Sequence, residues 1–197
     1  QDQQNLLDMK EVIEEVGHAL QVFSEGKTET PLRYVLPFNK ENRYLVMPAL
    51  SDELNIVGIK TVTFAPNNPK LDKKTITGSV LLSDYDTGET LAVLDGSYLT
   101  KIRTGAISGV ATKYLARENA KTLCVIGAGD QAEGLIAAIL AVRDIEMLHI
   151  SSRTRAKAET LAEFVKQTYH VSTKVFDEAD QAMENADIVA TATNSNK

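Results

Sequence analysis

The glycines of Cys124-Val125-Ile126-Gly127-Ala128-Gly129-Asp130-Gln131-Ala132 are spaced G-x-G-x-x-A, and that spacing can do chemistry. Where such a loop leaves a strand and opens a helix, it can floor the phosphates of a dinucleotide. Gly127 then permits the tight turn, Gly129 lets phosphate approach the backbone, and Ala132 is small enough for the helix to lie against the strand. The first helical amides and the helix dipole would face the pyrophosphate. On this reading Gly127, Ala128, Gly129, Asp130 and Gln131 line the phosphates. The alternative is a plain glycine-rich turn, because glycine serves tight turns everywhere. Context separates the two: the apolar run Leu123 to Ile126 precedes the loop and a helical run follows it.

The next strand, Met147 to Ser152, should end beside the adenosine ribose of a bound dinucleotide. An NAD site usually carries Asp or Glu there to hold the 2′-hydroxyl. This chain has Ser151-Ser152-Arg153-Thr154 instead. The hydroxyls of Ser152 and Thr154 and the planar guanidinium of Arg153 can all donate to a 2′-phosphate. That favours NADP(H), with NAD(H) the alternative. The bland reading is that Thr154 caps the following helix and Arg153 is solvated. Further on, Thr191-Ala192-Thr193-Asn194 closes the fourth strand, where parallel sheets deliver residues to a ligand. These four residues either reach the nicotinamide side or form an ordinary polar strand end.

Three cations lie upstream: Arg33 in TPLRYVLP, Lys60 in VGIKTVTF and Arg103 in KIRTGAISG. Each alone reads as a solvated surface group; together they matter only if the fold brings them into one pocket. Other candidates are weaker. His18, His149 and His170 show no metal-ligand spacing, and Cys124 sits in an apolar run as a small hydrophobe. Asp84, Asp86 and Gly88 do not make a calcium loop, because the glycine comes one position early and Asp95, not Glu, fills the twelfth place. No metal site is expected.

The elements that must position these residues fall into two textures. Residues 8–25 set Met9, Val12, Ile13, Val16, Leu20 and Phe23 at helical spacing, with Asp8 as N-cap. From Arg33 to Asp95, short apolar runs broken by Pro, Gly and Asn read as β-strands, with a hairpin at DYDTGET. From Gly96 onward the period changes: a long helix, then four strands alternating with three helices, which makes βαβ units and a parallel sheet. The expected division is residues 1–97 and 98–197. A chain of 197 residues with 43% apolar side chains can bury a real core in each part. The formal charge of −6 argues against a nucleic-acid surface. One cysteine permits no intrachain disulfide, no apolar run is long enough to span a membrane, and the first residues lack the basic and apolar regions of a signal peptide. A reducing, cytoplasmic setting is the default expectation.

Taken together, PLRYVLP, RYLVMPAL, GIKTVTF, TGSVLLSDYDTGETLAVLDGSYLTKIRTGAISGVATKYLA, VIGAGDQA and ATATNS resemble the ornithine cyclodeaminase and mu-crystallin family over essentially the whole chain. The resemblance implies an α/β protein: an α+β domain for substrate and dimerisation, then a Rossmann-type domain. It implies that Arg33, Lys60 and Arg103 hold a substrate carboxylate, with Lys60 near the reacting carbon, and that Thr104 touches the cofactor. It implies a homodimer acting on a small amino or imino acid by hydride transfer at the α-carbon, as a ketimine reductase or amino-acid dehydrogenase does. Two other activities stay open: an ornithine-deaminating lyase with recycled NAD, and a non-catalytic NADP-binding protein. Two departures weigh against the lyase. Leu45 stands where cyclodeaminases carry glutamate, and SSRT lacks the acid with which they end the second strand. Family members run well past this length and place a catalytic aspartate there, so the C-terminal part of the family fold is expected to be missing.

Overall fold

The computed structural model describes residues 7–193. They divide into two compact units, one drawn from Gln1–Gly17 with Lys101–Lys197 and the other from His18–Thr100. The elements run α1 (Met9–Ser24), β1 (Tyr34–Phe38), β2 (Asn42–Ser51), β3 (Ile56–Phe64), a 3₁₀ turn, β4 (Ile76–Asp84), β5 (Thr90–Asp95), α2 (Gly96–Leu115), β6 (Thr122–Ile126), α3 (Asp130–Val142), β7 (Met147–Ser151), α4 (Arg155–Tyr169), β8 (Ser172–Phe176), α5 (Ala179–Met183) and β9 (Ile188–Thr191). Among the described residues no helix is long and apolar enough to cross a membrane.

Asp8 caps α1 as expected: its Oδ1 accepts from the backbone N–H groups of Lys10 (2.9 Å) and Glu11 (3.3 Å). The unit built on residues 18–100 is an antiparallel meander ordered β1-β2-β3-β4-β5. Asp84 closes its β4–β5 hairpin, accepting from the N–H of Thr87 (2.8 Å) and Asp86 (3.1 Å) and from the Thr87 hydroxyl (2.8 Å). Those bonds hold the Asp84 carboxyl below its ordinary value. The carboxylate therefore serves the turn.

The ladders fix which residues share a face, because directly opposed residues point the same way. Lys60 on β3 pairs with Met47 on β2 and Val80 on β4, and Val62 pairs with Leu45 and Gly78. Leu45, Met47, Lys60, Val62, Gly78 and Val80 thus lie on one face. The opposite face carries Tyr34, Leu36 and Tyr44 toward one edge and Val93 toward the other, all exposed.

The second unit is a parallel sheet ordered β8-β7-β6-β9. In chain order this is 3-2-1-4, so β6 stands at the point where the winding reverses. Leu123, Val125, Leu148 and Ile150 of the strands are fully buried with Ile136 and Ile139 of α3 and Val165 of α4. The first half of α1 belongs to this unit because Ile13 packs with Ala106 of α2 and Ala138 of α3. Helices α2 and α3 cross backbone to backbone: a Cβ on Gly105 would lie 2.1 Å from the Gly134 carbonyl oxygen. One flank of that crossing is tied by an ion pair from Lys101 to Glu133, 2.7 Å. Arg143 caps the end of α2, donating to the carbonyls of Thr112 (2.9 Å), Lys113 (3.0 Å), Ala116 (2.9 Å) and Arg117 (3.0 Å). Asp187 joins β9 to β6 by accepting from the N–H of Lys121 (2.8 Å) and Thr122 (2.9 Å), bonds that hold its carboxyl below the ordinary value.

Candidate functional site

The phosphate-side residues meet at the carboxyl end of the parallel sheet. Gly127 leaves β6 with φ 106, a conformation that L side chains rarely adopt. Its N–H donates to the Ser151 carbonyl of β7 (2.8 Å), while the Ala192 N–H beyond β9 donates to the Ile126 carbonyl (2.8 Å). The loop is thereby stitched to both neighbouring strands. A Cβ on Gly127 would come within 2.4 Å of the Ala192 carbonyl oxygen. Gly129 differs: space above it is open, with nothing within 4 Å of an added Cβ. It is the N-cap of α3, and no side chain caps that helix. Ala132 is fully buried against the sheet. The Oε1 atom of Gln131 is buried with no hydrogen-bond partner among the described residues.

An uncapped helix start and an open glycine fit a dinucleotide's pyrophosphate. Ser152, Arg153 and Thr154 follow directly on β7, and Thr191 ends β9 with Ala192 and Thr193 after it, so the two groups flank the loop from opposite sides. Asn194 lies outside the described residues. Thr154 occupies the N-cap position of α4, yet its side chain makes no capping bond. Its hydroxyl is not spent on the helix. Arg155 is spent, on Glu159 (2.9 Å) and Asp177, whereas Arg153 is exposed and has no ion pair among the described residues. The groups that could meet a 2′-phosphate are therefore Ser152, Arg153 and Thr154.

The meander carries two of the three cations singled out in the sequence, Arg33 and Lys60. Lys60 sits mid-strand on β3, half-buried, and donates from Nζ to Thr100 Oγ1 at 2.6 Å. Leu45 is on the same face, one diagonal step away. Arg33 is exposed and directly precedes Tyr34, whose partner is Val46, beside Lys60's own partner Met47. Arg103 and Thr104 belong to the other unit, on α2 immediately before the Gly105–Gly134 crossing. Arg103 is exposed and Thr104 half-buried.

A family model described as the ornithine cyclodeaminase/mu-crystallin family matches residues 1–197. The chain belongs to that family. One relative in it, the Delta(1)-pyrroline-2-carboxylate reductase of Bacillus cereus, is 51% identical over 195 residues, which cover 98% of this chain and 60% of the relative. The ketimine reductase mu-crystallin of Rattus norvegicus is 34% identical over 170 residues, 86% of this chain and 53% of that protein. Among solved structures, Thermococcus litoralis Delta(1)-pyrroline-2-carboxylate reductase in complex with NADH and L-proline superposes with a TM-score of 0.89 at 37% identity, covering 96% of this chain and 59% of the other. The chain thus spans from about half to three-fifths of the length of these relatives.

Thr100 was not singled out in the sequence, yet it is hydrogen-bonded to Lys60. It contacts Lys60 across 40 positions of sequence, and no spacing rule links the two. Cys124 and His149 stay apart from this chemistry. Burial pushes the Cys124 thiol up to about 11, and His149 Nδ1 bonds the Ala182 carbonyl at 2.8 Å while its ring packs on Phe176.

Proposed function

We propose that this chain carries the cofactor loop and substrate lysine of an NAD(P)H-dependent imino-acid reductase, acting on a cyclic ketimine carboxylate of the pyrroline-2-carboxylate kind. The observation that carries the reading is Lys60: an ammonium fixed on a sheet face with Leu45, not an acid, as its diagonal neighbour. A cation there grips the substrate carboxylate, and Arg33 and Arg103 are proposed to complete the grip. An apolar neighbour accommodates a hydrocarbon ring and offers nothing to a second amine, which disfavours an ornithine-cyclising lyase. The resemblance of the chain to pyrroline-2-carboxylate and ketimine reductases supports the same substrate class.

Bound at the glycine loop, a reduced nicotinamide would supply the hydride that the imine carbon accepts while the nitrogen gains a proton, so that C=N becomes CH–NH. The chain's part is to orient. Gly127, Ala128, Gly129, Asp130 and Gln131 hold phosphate, with Thr104 alongside; Thr191, Ala192, Thr193 and Asn194 edge the nicotinamide; and the lysine fixes the carboxylate so that Cα faces the ring. The test is oxidation of NADPH by Δ1-pyrroline-2-carboxylate with L-proline as product. Ammonia release from ornithine without net cofactor consumption would assign the chain to the lyase instead. Tight cofactor binding with no redox change on any amino or imino acid would make it a binding protein.

We further propose that Ser152, Arg153 and Thr154 give preference to NADPH. NADPH should bind about tenfold tighter than NADH, and Arg153→Ala should remove most of that ratio while leaving NADH affinity in place. Equal affinities of the unaltered protein in a fluorescence titration reject the preference.

The domain ending near residue 97 is proposed to supply a homodimer interface. Tyr34 (63% exposed), Leu36 (56%) and Val93 (69%) leave one sheet face apolar and open, as surfaces that a second subunit covers do. Sedimentation at monomer mass under micromolar conditions rejects it.

A further inference from the structure

We infer that Thr100 is a positioning residue that fixes the Lys60 ammonium; the inference rests on the reading of Lys60 as the substrate lysine. The Thr100 hydroxyl makes two bonds of opposite sense. It donates to the Gly96 carbonyl one turn back at 2.5 Å and accepts from Lys60 Nζ at 2.6 Å. A helical threonine commonly makes the first bond alone. Here that bond commits the only hydroxyl proton, so the oxygen presents lone pairs to the lysine. An ammonium has three donors and no acceptor, which makes this the polarity that suits it. Bonds to charged donors are also the stronger kind.

The hydroxyl is held where the lysine needs it. The start of α2 lies close beside β4 at Gly96, where a Cβ would stand 2.7 Å from the Gly78 carbonyl carbon and 2.8 Å from the Ser79 nitrogen, Asp95 just before it pairing with Ser79. Gly78 lies on Lys60's face and pairs with Val62, two residues along β3. Close backbone approach at Gly96 therefore fixes the start of α2 beside β4, and Thr100, one turn on, is bonded back to the Gly96 carbonyl. A lysine has four rotatable carbons and loses about 2 kcal/mol of rotamer freedom when fixed. The hydroxyl anchors the free end of that stem before substrate arrives, the kind of preorganisation that raises kcat in preference to affinity.

The experiment compares Thr100→Val, which keeps shape and loses the hydroxyl, with Thr100→Ser, which keeps the hydroxyl, in the full chain. For pyrroline-2-carboxylate reduction, Thr100→Val should lower kcat about tenfold to a hundredfold, the range expected for losing one bond to a charged donor, while KM moves by less than about threefold and the serine variant recovers most of the rate. Without cofactor, the labelling rate of Lys60 by an amine reagent, read by peptide mass spectrometry, should rise several-fold in the valine variant and not in the serine one. Unchanged kcat and labelling in Thr100→Val, a loss confined to KM, or a serine variant no better than valine each overturn the inference. If Thr100→Val fails to fold, Thr100→Ala is read against Thr100→Ser by the same criteria. Lys60→Ala separates the two levels: retained turnover there defeats the reading of Lys60 itself, whereas lost turnover with a normal Thr100→Val defeats only the role of Thr100.

Discussion

Replacing Lys60 by alanine is expected to lower kcat/KM for a cyclic ketimine carboxylate by roughly 100- to 1,000-fold, about 3–4 kcal/mol, because truncating one partner of a desolvated charge pair leaves the other uncompensated. Binding of NADPH should stay within about twofold, since the cofactor's phosphates are proposed to rest on the glycine loop and not on the lysine. Stability should change little. Lys60 is half-buried, and the ladder bonds of its strand are backbone bonds that the substitution leaves in place. The measurements are steady-state reduction of Δ1-pyrroline-2-carboxylate and a cofactor titration on the same preparation. Turnover within threefold of the unaltered protein would take Lys60 out of the mechanism, and a matching loss of NADPH affinity would make the effect structural.

The second large effect concerns the crossing of α2 and α3. Gly105→Ala would place a methyl group 2.1 Å from the Gly134 carbonyl oxygen and 2.4 Å from its carbonyl carbon. Both are backbone atoms inside a helix, so no rotamer change relieves the clash and the helices must separate. Overpacking of this kind costs about 3 kcal/mol, against which the better helix propensity of alanine returns at most about 1 kcal/mol. The expected net fall in Tm is roughly 4–8 °C for a chain of this size. Cofactor affinity should fall with it, because Arg103 and Thr104 directly precede the contact on one helix and the phosphate loop opens the other. Calorimetry and the NADPH titration read the two effects. An unchanged Tm would show that the helices do not meet backbone to backbone.

The local elements are legible in the amino-acid order alone. Asp8 as a cap, the helix from Met9, the strand ending in the glycine loop and the hairpin at Asp84 all rest on contacts within a few residues, which spacing and side-chain type report directly. The spacing already assigns Gly127 to a tight turn and Gly129 to an open approach, and the structure shows a left-handed backbone beneath a neighbouring carbonyl at the first and open space at the second. Residues Ser151 to Thr154 could be placed at a strand end. Which of the nearby arginines is already paired could not, since the partner of Arg155 at Asp177 is on the far side of a helix in sequence.

What the sequence by itself determined is the inventory: a glycine loop between strand and helix, a strand end with hydroxyls and a guanidinium where an acid is usual, and motifs that place the chain in its family. What only the tertiary structure decided is adjacency. Lys60 is one lysine among many until β3 sets it opposite Met47 and Val80, and its bond to Thr100 joins it to a helix that starts close beside β4 at Gly96. The same holds for α1, whose first half joins the parallel-sheet unit through Ile13 although about 80 residues of meander intervene. The physical reason is that periodicity encodes which face of an element is apolar, while the partner that covers it is selected by the sum of many long-range contacts, none of which has a local signature.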